Sequence, residues 1–187
     1  MKLYALCDQD MLDKNGISID EFVDIAKTQN AEIIQYRNKN GDIAFMKEQL
    51  IAIRKQFEGF LIINDAYELA EYCDGVHMGQ EDLLEIDSDI HKAVAILRSV
   101  INEDKILGIS THNEEEVLEA NKMDLNYIGL GAFRNTATKT DITSVLGNQL
   151  DKIAAHSKHL VAAIGGVKLN DDFENVTYNV IGSGLLL

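Results

Sequence analysis

Short apolar runs alternate with longer amphipathic stretches from one end of the chain to the other. The runs at residues 3–7, 33–36, 60–63, 75–78, 106–109, 127–130, 160–164 and 179–181 are rich in Ile, Leu and Val. Strands buried on both faces have this composition, because neither face needs polar side chains. Between the runs, apolar residues recur at helical spacing. Residues 18–29 place Phe22, Ile25 and Ala26 on one face. Ser18 is the expected N-cap there, with Glu21 as its capping-box partner. Residues 45–57 repeat Phe45, Leu50, Ile53 and Phe57, and residues 89–101 carry Ala93, Ile96, Leu97 and Val100. Residues 113–122 open on glutamates, which suit a helix N-terminus, and bury Val117 and Leu118. Residues 144–156 carry Leu146, Leu150 and Ile153.

Strands and helices in alternation predict an α/β fold, and eight strands favour a closed (β/α)8 TIM barrel over an open sheet. No linker or repeat divides residues 1–187, so one barrel domain is expected. Such barrels usually need ~200 residues or more, and the shortfall has a place. Between the last two predicted strands only about a dozen residues remain, too few for a crossover helix. After the last strand come Leu185-Leu186-Leu187 and no eighth helix. The expectation is a barrel trimmed at its C-terminal end, with an apolar patch that a second copy would cover as a homodimer.

Composition narrows the function classes. Hydrophobic residues are 46% and charged residues 26%, ordinary for a soluble globular protein. A net charge of −14 repels nucleic acid and anionic membranes, so neither is an expected partner. Phosphorylated small molecules would need local cations and a metal to overcome that field. Cys7 and Cys73 suit small buried hydrophobes in a reducing, cytoplasmic setting. No signal pattern is present, and no apolar run approaches the ~20 residues of a membrane helix. Proline is absent, so turns fall to Gly, Asn and Asp, as at Asn40-Gly41 and Asn170-Asp171-Asp172.

Barrel enzymes carry their chemistry at the C-terminal ends of the strands, and those places are polar here. The second run leads into Gln35-Tyr36-Arg37-Asn38-Lys39. Continued alternation would point Gln35, Arg37 and Lys39 the same way, two cations suited to a polyphosphate; surface salt bridges are the alternative. The third run leads into Asn64-Asp65 and the fourth into His77-Met78-Gly79-Gln80-Glu81-Asp82. Carboxylates leaving neighbouring strands ~4.8 Å apart can share one hard cation. Asp65 and Asp82 fit Mg²⁺, although Asp65 would also serve as a helix N-cap before residues 67–72. His77 reads as a hydrogen-bonded strand-end residue. Ser110 and His112 follow the fifth run and can bond a heterocycle or phosphate, or cap the next turn. Thr136, Thr138 and Lys139 form a phosphate-loop pattern, and Gly165-Gly166 and Ile181-Gly182 close the last two strands with backbone free to approach a phosphate.

These motifs together resemble the thiamine phosphate synthase family across nearly the whole chain. The matching segments are Leu3-Tyr4-Ala5-Leu6, Ile34-Gln35-Tyr36-Arg37-Asn38-Lys39, Ile62-Ile63-Asn64-Asp65 and Asp74-Gly75-Val76-His77-Met78-Gly79-Gln80-Glu81-Asp82. They continue with Gly108-Ile109-Ser110-Thr111-His112-Asn113, Thr136-Ala137-Thr138-Lys139 and Ala163-Ile164-Gly165-Gly166-Val167. The resemblance implies a transferase of thiamine biosynthesis, a Mg²⁺-dependent barrel that couples hydroxymethylpyrimidine pyrophosphate to hydroxyethylthiazole phosphate. It implies that Gln35, Arg37, Lys39, Asn64, Ser110 and Lys139 hold the pyrimidine pyrophosphate, with His77 nearby, and that Asp65 and Asp82 position Mg²⁺. Arg37, Lys39, Ser110 and Lys139 would be catalytic. Thr136, Thr138, Gly165, Gly166, Ile181 and Gly182 would take the thiazole phosphate. The chain departs from the family pattern at Asn38, usually Glu, at Asn135, usually Pro, and at Gly182, usually Ser. Two other readings remain: the related thiazole tautomerase, for which His112 would move a proton, and a non-catalytic binder of thiamine-pathway phosphates.

Overall fold

The structure is a computed structural model that describes residues 1–135 and 145–186. Eight parallel strands close into a barrel in sequence order. They are β1 (Lys2–Asp8), β2 (Ala31–Arg37), β3 (Phe60–Asn64), β4 (Gly75–Met78), β5 (Ile106–Thr111), β6 (Tyr127–Leu130), β7 (Leu160–Ala163) and β8 (Tyr178–Ile181). Closure comes from β1 pairing with β8, Leu3 opposite Asn179 and Ala5 opposite Ile181. Every expected run is a strand, and four of them extend further towards their polar ends than the apolar pattern did: β1, β2, β3 and β5 run on into Asp8, Arg37, Asn64 and Thr111. Backbone pairing therefore carries polar side chains to one rim of the barrel.

Helices follow most strands: α1 (Gln9–Asn15), α2 (Ile19–Thr28), α3 (Ile43–Arg54), α4 (Gln80–Ile86), α5 (Ile90–Ile101), α6 (Glu114–Ala120) and α7 (Leu150–Ala154). The capping box at α2 is complete: Ser18 Oγ accepts from the Glu21 amide at 3.2 Å, and Glu21 accepts from the Ser18 amide at 2.8 Å. Such a cap contributes about 0.5–2 kcal/mol. Asp8, Asp42, Asp89 and Asn113 cap α1, α3, α5 and α6, each side chain accepting one first-turn amide.

Two cores result. Outward-facing strand residues pack with helix residues such as Phe22, Leu50, Leu97 and Val117. The barrel interior is filled by Tyr4, Ile33, Ile62, Tyr127, Ala162, Tyr178 and Val180. Alternation along each strand separates the two sets.

The trimmed end is as expected in connectivity: among the described residues no helix joins β7 to β8, and only a 3₁₀ turn (Ser183–Leu185) follows β8. The apolar terminus is another matter. Leu185 is buried in the outer core and Leu186 packs against it. The chain itself thus covers part of the surface expected to need a second copy. Leu187 lies outside the described residues.

Candidate active site

The C-terminal rim gathers most of the polar residues singled out above. Asp65, just past β3, has a left-handed backbone (φ 62°). It is not a helix cap: the 3₁₀ helix at Tyr67–Tyr72 has no side-chain cap. Instead its Oδ1 accepts from the Gly79 amide at 3.1 Å, and its Oδ2 accepts from Asn64 Nδ2. Asp82, in the first turn of α4, comes to the same place from the other side. A Cβ on Gly79 would lie 2.5 Å from Asp82 Oδ2 and 3.9 Å from Asp65 Oδ1. A side chain there would fill the space the two carboxylates share.

The electrostatics of the pair match that closeness. Burial pushes the Asp65 carboxyl above its ordinary value, and the charge of Asp82 pushes it further. The Gly79 amide, Arg37 and Asn64 only partly offset this. Half-buried, mutually repelling carboxylates with an incomplete set of donors suit a cation. Among the described residues no group of three or more acidic, His or Cys side chains forms a full cage. A hard cation that keeps waters and phosphate oxygens as ligands fits two carboxylates, whereas a caged ion would not.

Arg37 closes the end of β2 and forms an ion pair with Asp8 at the end of β1. Asp8 is 3% exposed, so this guanidinium is anchored rather than loose. Its fixed position is suited to a directed bidentate contact. Lys39 lies beyond the strand, on the exposed turn, so the alternation that would have aligned it with Arg37 stops short of it.

Inside the barrel, polar residues of five strands form one hydrogen-bonded chain. Gln35 Nε2 donates to Tyr4 Oη at 2.7 Å, and the Tyr4 and Tyr127 hydroxyls lie 2.8 Å apart. Tyr127 Oη lies 2.9 Å from His77 Nδ1, and His77 Nε2 lies 3.0 Å from Ser110 Oγ. His77 is thus the bonded strand-end residue its position suggested. Ser110 does not cap α6, since Asn113 does. Gln80 Nε2 donates to the Ser110 carbonyl at 2.6 Å, tying α4 to β5. His112 turns away to Glu116 of α6, with Nδ1 2.9 Å from Glu116 Oε2.

Sequence reasoning passed over Tyr4, Tyr127, Asp8 and Gln80. The two tyrosines sit inside apolar runs and read as bulk. The available signal was that a buried tyrosine hydroxyl requires a polar partner.

On the opposite side, Gly165 and Gly166 follow β7 with φ of 84° and 69°, conformations that disfavour any residue with a Cβ. Space agrees, because a Cβ on Gly165 would lie 2.6 Å from Ala132 Cβ. The turn is fastened to the loop after β6 by the Phe133 amide on Ile164 O at 2.9 Å and the Arg134 amide on Gly165 O at 2.7 Å. Ile181 is buried in the outer core, so only its backbone faces the rim. Gly182 follows it, and a Cβ there would make ordinary contact with Leu6, its O at 3.5 Å and its Cβ at 3.8 Å. Thr136, Thr138 and Lys139 lie outside the described residues.

A sequence model described as thiamine monophosphate synthase matches residues 3–182 of this chain. The chain belongs to that family. Among curated members, the thiamine-phosphate synthase of Clostridium botulinum is 34% identical over 170 residues, covering 88% of this chain and 75% of that protein. The thiamine-phosphate synthase of Lawsonia intracellularis is 37% identical over 172 residues, covering 89% and 74%. In three dimensions the chain is similar to thiamine phosphate pyrophosphorylase from Pyrococcus furiosus, with TM-score 0.75 and 26% identity, over 97% of this chain and 85% of that one. A mutant tryptophan synthase α-subunit from Pyrococcus furiosus shares the fold alone, with TM-score 0.67 and 12% identity over 99% and 88% of the two chains. The family's rim is therefore the place where its transferase chemistry is to be sought, and the pair at Gly79 lies on that rim.

Proposed function

We propose that this chain is a Mg²⁺-dependent thiamine-phosphate synthase built as one barrel domain, acting on two phosphorylated small molecules. The observation that carries the reading is the convergence of Asp65 and Asp82 on Gly79, with the Arg37 charge close enough to act on Asp65. Family membership gives that arrangement its chemistry. In the reaction, the C–O bond to pyrophosphate breaks and its electron pair leaves with the pyrophosphate. The thiazole nitrogen then gives its lone pair to the exposed carbon, and a C–N bond forms.

Asp65 and Asp82 would hold the divalent cation, which when bound supplies positive charge against the leaving pyrophosphate. Arg37, fixed by Asp8, stabilises the same developing charge, and Lys39 and Lys139 add to it. A preorganised contact of this kind is worth ~10²–10³ in rate. Gln35, Asn64, His77 and Ser110 orient the pyrimidine end. Thr136 and Thr138 receive the thiazole phosphate with their hydroxyls, and Gly165, Gly166, Ile181 and Gly182 with backbone amides. Holding both heterocycles in line supplies the remaining advantage through proximity.

Cys7 and Cys73 are free and buried. Burial pushes both thiols up, which favours structural roles in a reducing compartment. Among the described residues no helix is long and apolar enough to cross a membrane.

A product assay with purified protein tests the reading. Thiamine phosphate should form only with both substrates and Mg²⁺, and Asp65→Ala or Asp82→Ala should abolish turnover with circular dichroism unchanged. Full activity in either variant removes the metal assignment. Calorimetric binding of the pyrimidine pyrophosphate by wild type without product would favour the non-catalytic binder.

A further inference from the structure

The chain Gln35–Tyr4–Tyr127–His77–Ser110 has a direction, and the direction follows from counting protons. Tyr4 Oη accepts from Gln35 Nε2, so its single proton must go elsewhere. The Tyr127 oxygen, 2.8 Å away, is its partner. Tyr127, having accepted, gives its own proton to His77 Nδ1 at 2.9 Å. A nitrogen that accepts carries no hydrogen, so the imidazole hydrogen sits on Nε2 and is donated to Ser110 Oγ at 3.0 Å. Ser110 then has an occupied acceptor and a proton left over. With Gln35 presenting its amide nitrogen, the reverse order would leave Tyr4 accepting twice and its own proton without an acceptor.

The relay is held rigidly. Tyr4 and Tyr127 are 1% and 5% exposed, so an unpaired hydroxyl would be costly at either place. The His77 ring stacks on Tyr127 with centroids 5.5 Å apart and planes inclined by 30°. Its Cε1 edge faces Gly129, where a Cβ would stand 3.1 Å away. Gly108 lacks a side chain where the Tyr127 ring passes, a Cβ there falling 2.2 Å from ring atoms. Small residues on β5 and β6 thus make room for both rings. Burial also keeps both tyrosine hydroxyls protonated, since it raises each above its ordinary value.

We infer that Tyr127, backed by Tyr4, is a positioning residue that locks His77 as the Nε2–H tautomer and so presents Ser110 as a hydroxyl donor to the pyrimidine pyrophosphate. The inference rests on the proposed function for its substrate, but not for its tautomer. Ser110 is only partly buried and closes the relay at the rim, where a substrate oxygen or ring nitrogen can take its proton. The tyrosines touch no substrate and act through His77.

Two measurements on the intact protein separate the parts. In ¹⁵N-histidine-labelled protein, with the signal assigned by its loss in His77→Gln, His77 should show hydrogen on Nε2 and none on Nδ1. In Tyr127→Phe, which keeps the ring and removes the hydroxyl, a mixture of tautomers should appear. In turnover, Tyr127→Phe should lower kcat about tenfold, the scale of one lost hydrogen bond, with KM for the thiazole phosphate unchanged. Tyr4→Phe should shift both readouts in the same sense and by less, and it serves if Tyr127→Phe folds poorly. Wild-type His77 protonated on Nδ1, or a shifted tautomer with unchanged kcat, would overturn the inference. A wild type that makes no product would instead refute the proposed function, while the tautomer measurement still stands or falls separately.

Discussion

Arg134 donates to both carboxylate oxygens of Asp171, at 2.5 and 2.8 Å, and with the same guanidinium to the Gly166 carbonyl at 2.8 Å. One side chain from the loop after β6 therefore pins the helix-free crossover after β7. The Lys168 amide adds to the grip by donating to Asp171 Oδ2 at 2.8 Å. Phe133 and Phe173 meet edge to face beneath it, centroids 5.0 Å apart. A missing helix has been replaced by a clamp.

Asp171→Ala should loosen the Gly165–Gly166 turn and raise KM for the thiazole phosphate by about two- to fivefold, the scale of an ion pair open to solvent. The Arg134 bond holds the Asp171 carboxyl below its ordinary value of 3.8. A carboxylate with a lowered folded value stabilises the fold above the unfolded value and loses that contribution as pH falls through the folded one. Acid unfolding of the wild type should thus include a component below about pH 4 that is missing from Asp171→Ala. Identical acid profiles would mean the pair contributes nothing measurable.

Asp65 has the opposite sign. Its folded value is raised, by burial first and by Asp82 next. Stability tied to it is present at low pH and lost as pH rises through the raised value. At neutral pH the metal-free protein should therefore gain stability from Asp82→Asn, as a higher Tm, while losing turnover. Mg²⁺ should raise the Tm of the wild type and leave that variant unmoved. A variant that still responds to Mg²⁺ would place the cation elsewhere.

Arg37 is held by Asp8, so its charge reaches the rim at a fixed angle. Arg37→Ala should lower kcat by ~10²–10³ and change KM for the thiazole phosphate little. Lys in its place lacks the planar fork and should restore only a small part. If thiazole affinity alone changes, Arg37 serves the other substrate.

The strands were legible because apolar runs buried on both faces leave a strong local signature. Two helices were not. Both α1 and α4 span seven residues, barely two turns, and their polar residues read as loop chemistry. The end of β2 shows a second limit. The partner of Arg37 was not legible, because Asp8 lies 29 positions away and only the β1–β2 register sets it opposite Arg37. Likewise, apolar patterning hid the relay: Tyr4 and Tyr127 are 123 positions apart and meet only when the barrel closes. Local chemistry at the rim was readable, while cross-barrel pairing waited on topology.

Gly182 is one of three positions, with Asn38 and Asn135, where the sequence departs from the pattern it resembles, in which a serine follows the last aliphatic residue of β8. There is room for a side chain there: a Cβ would meet Leu6 O at 3.5 Å and Leu6 Cβ at 3.8 Å, normal contact distances. Ser183 stands one position on, exposed, at the start of a three-residue 3₁₀ turn. Among the described residues no α-helix starts there to lend a dipole to phosphate binding. A hydroxyl donating to a charged phosphate is worth about 1.5–3 kcal/mol, or roughly tenfold to a hundredfold in affinity. Thiazole phosphate should accordingly bind weakly to the wild type and more tightly to Gly182→Ser, with pyrimidine pyrophosphate affinity the same in both. Titration calorimetry with each substrate reads this directly. If Gly182→Ser weakens binding and Ser183→Ala leaves KM unchanged, the phosphate is held by backbone amides alone, and the added side chain only crowds it.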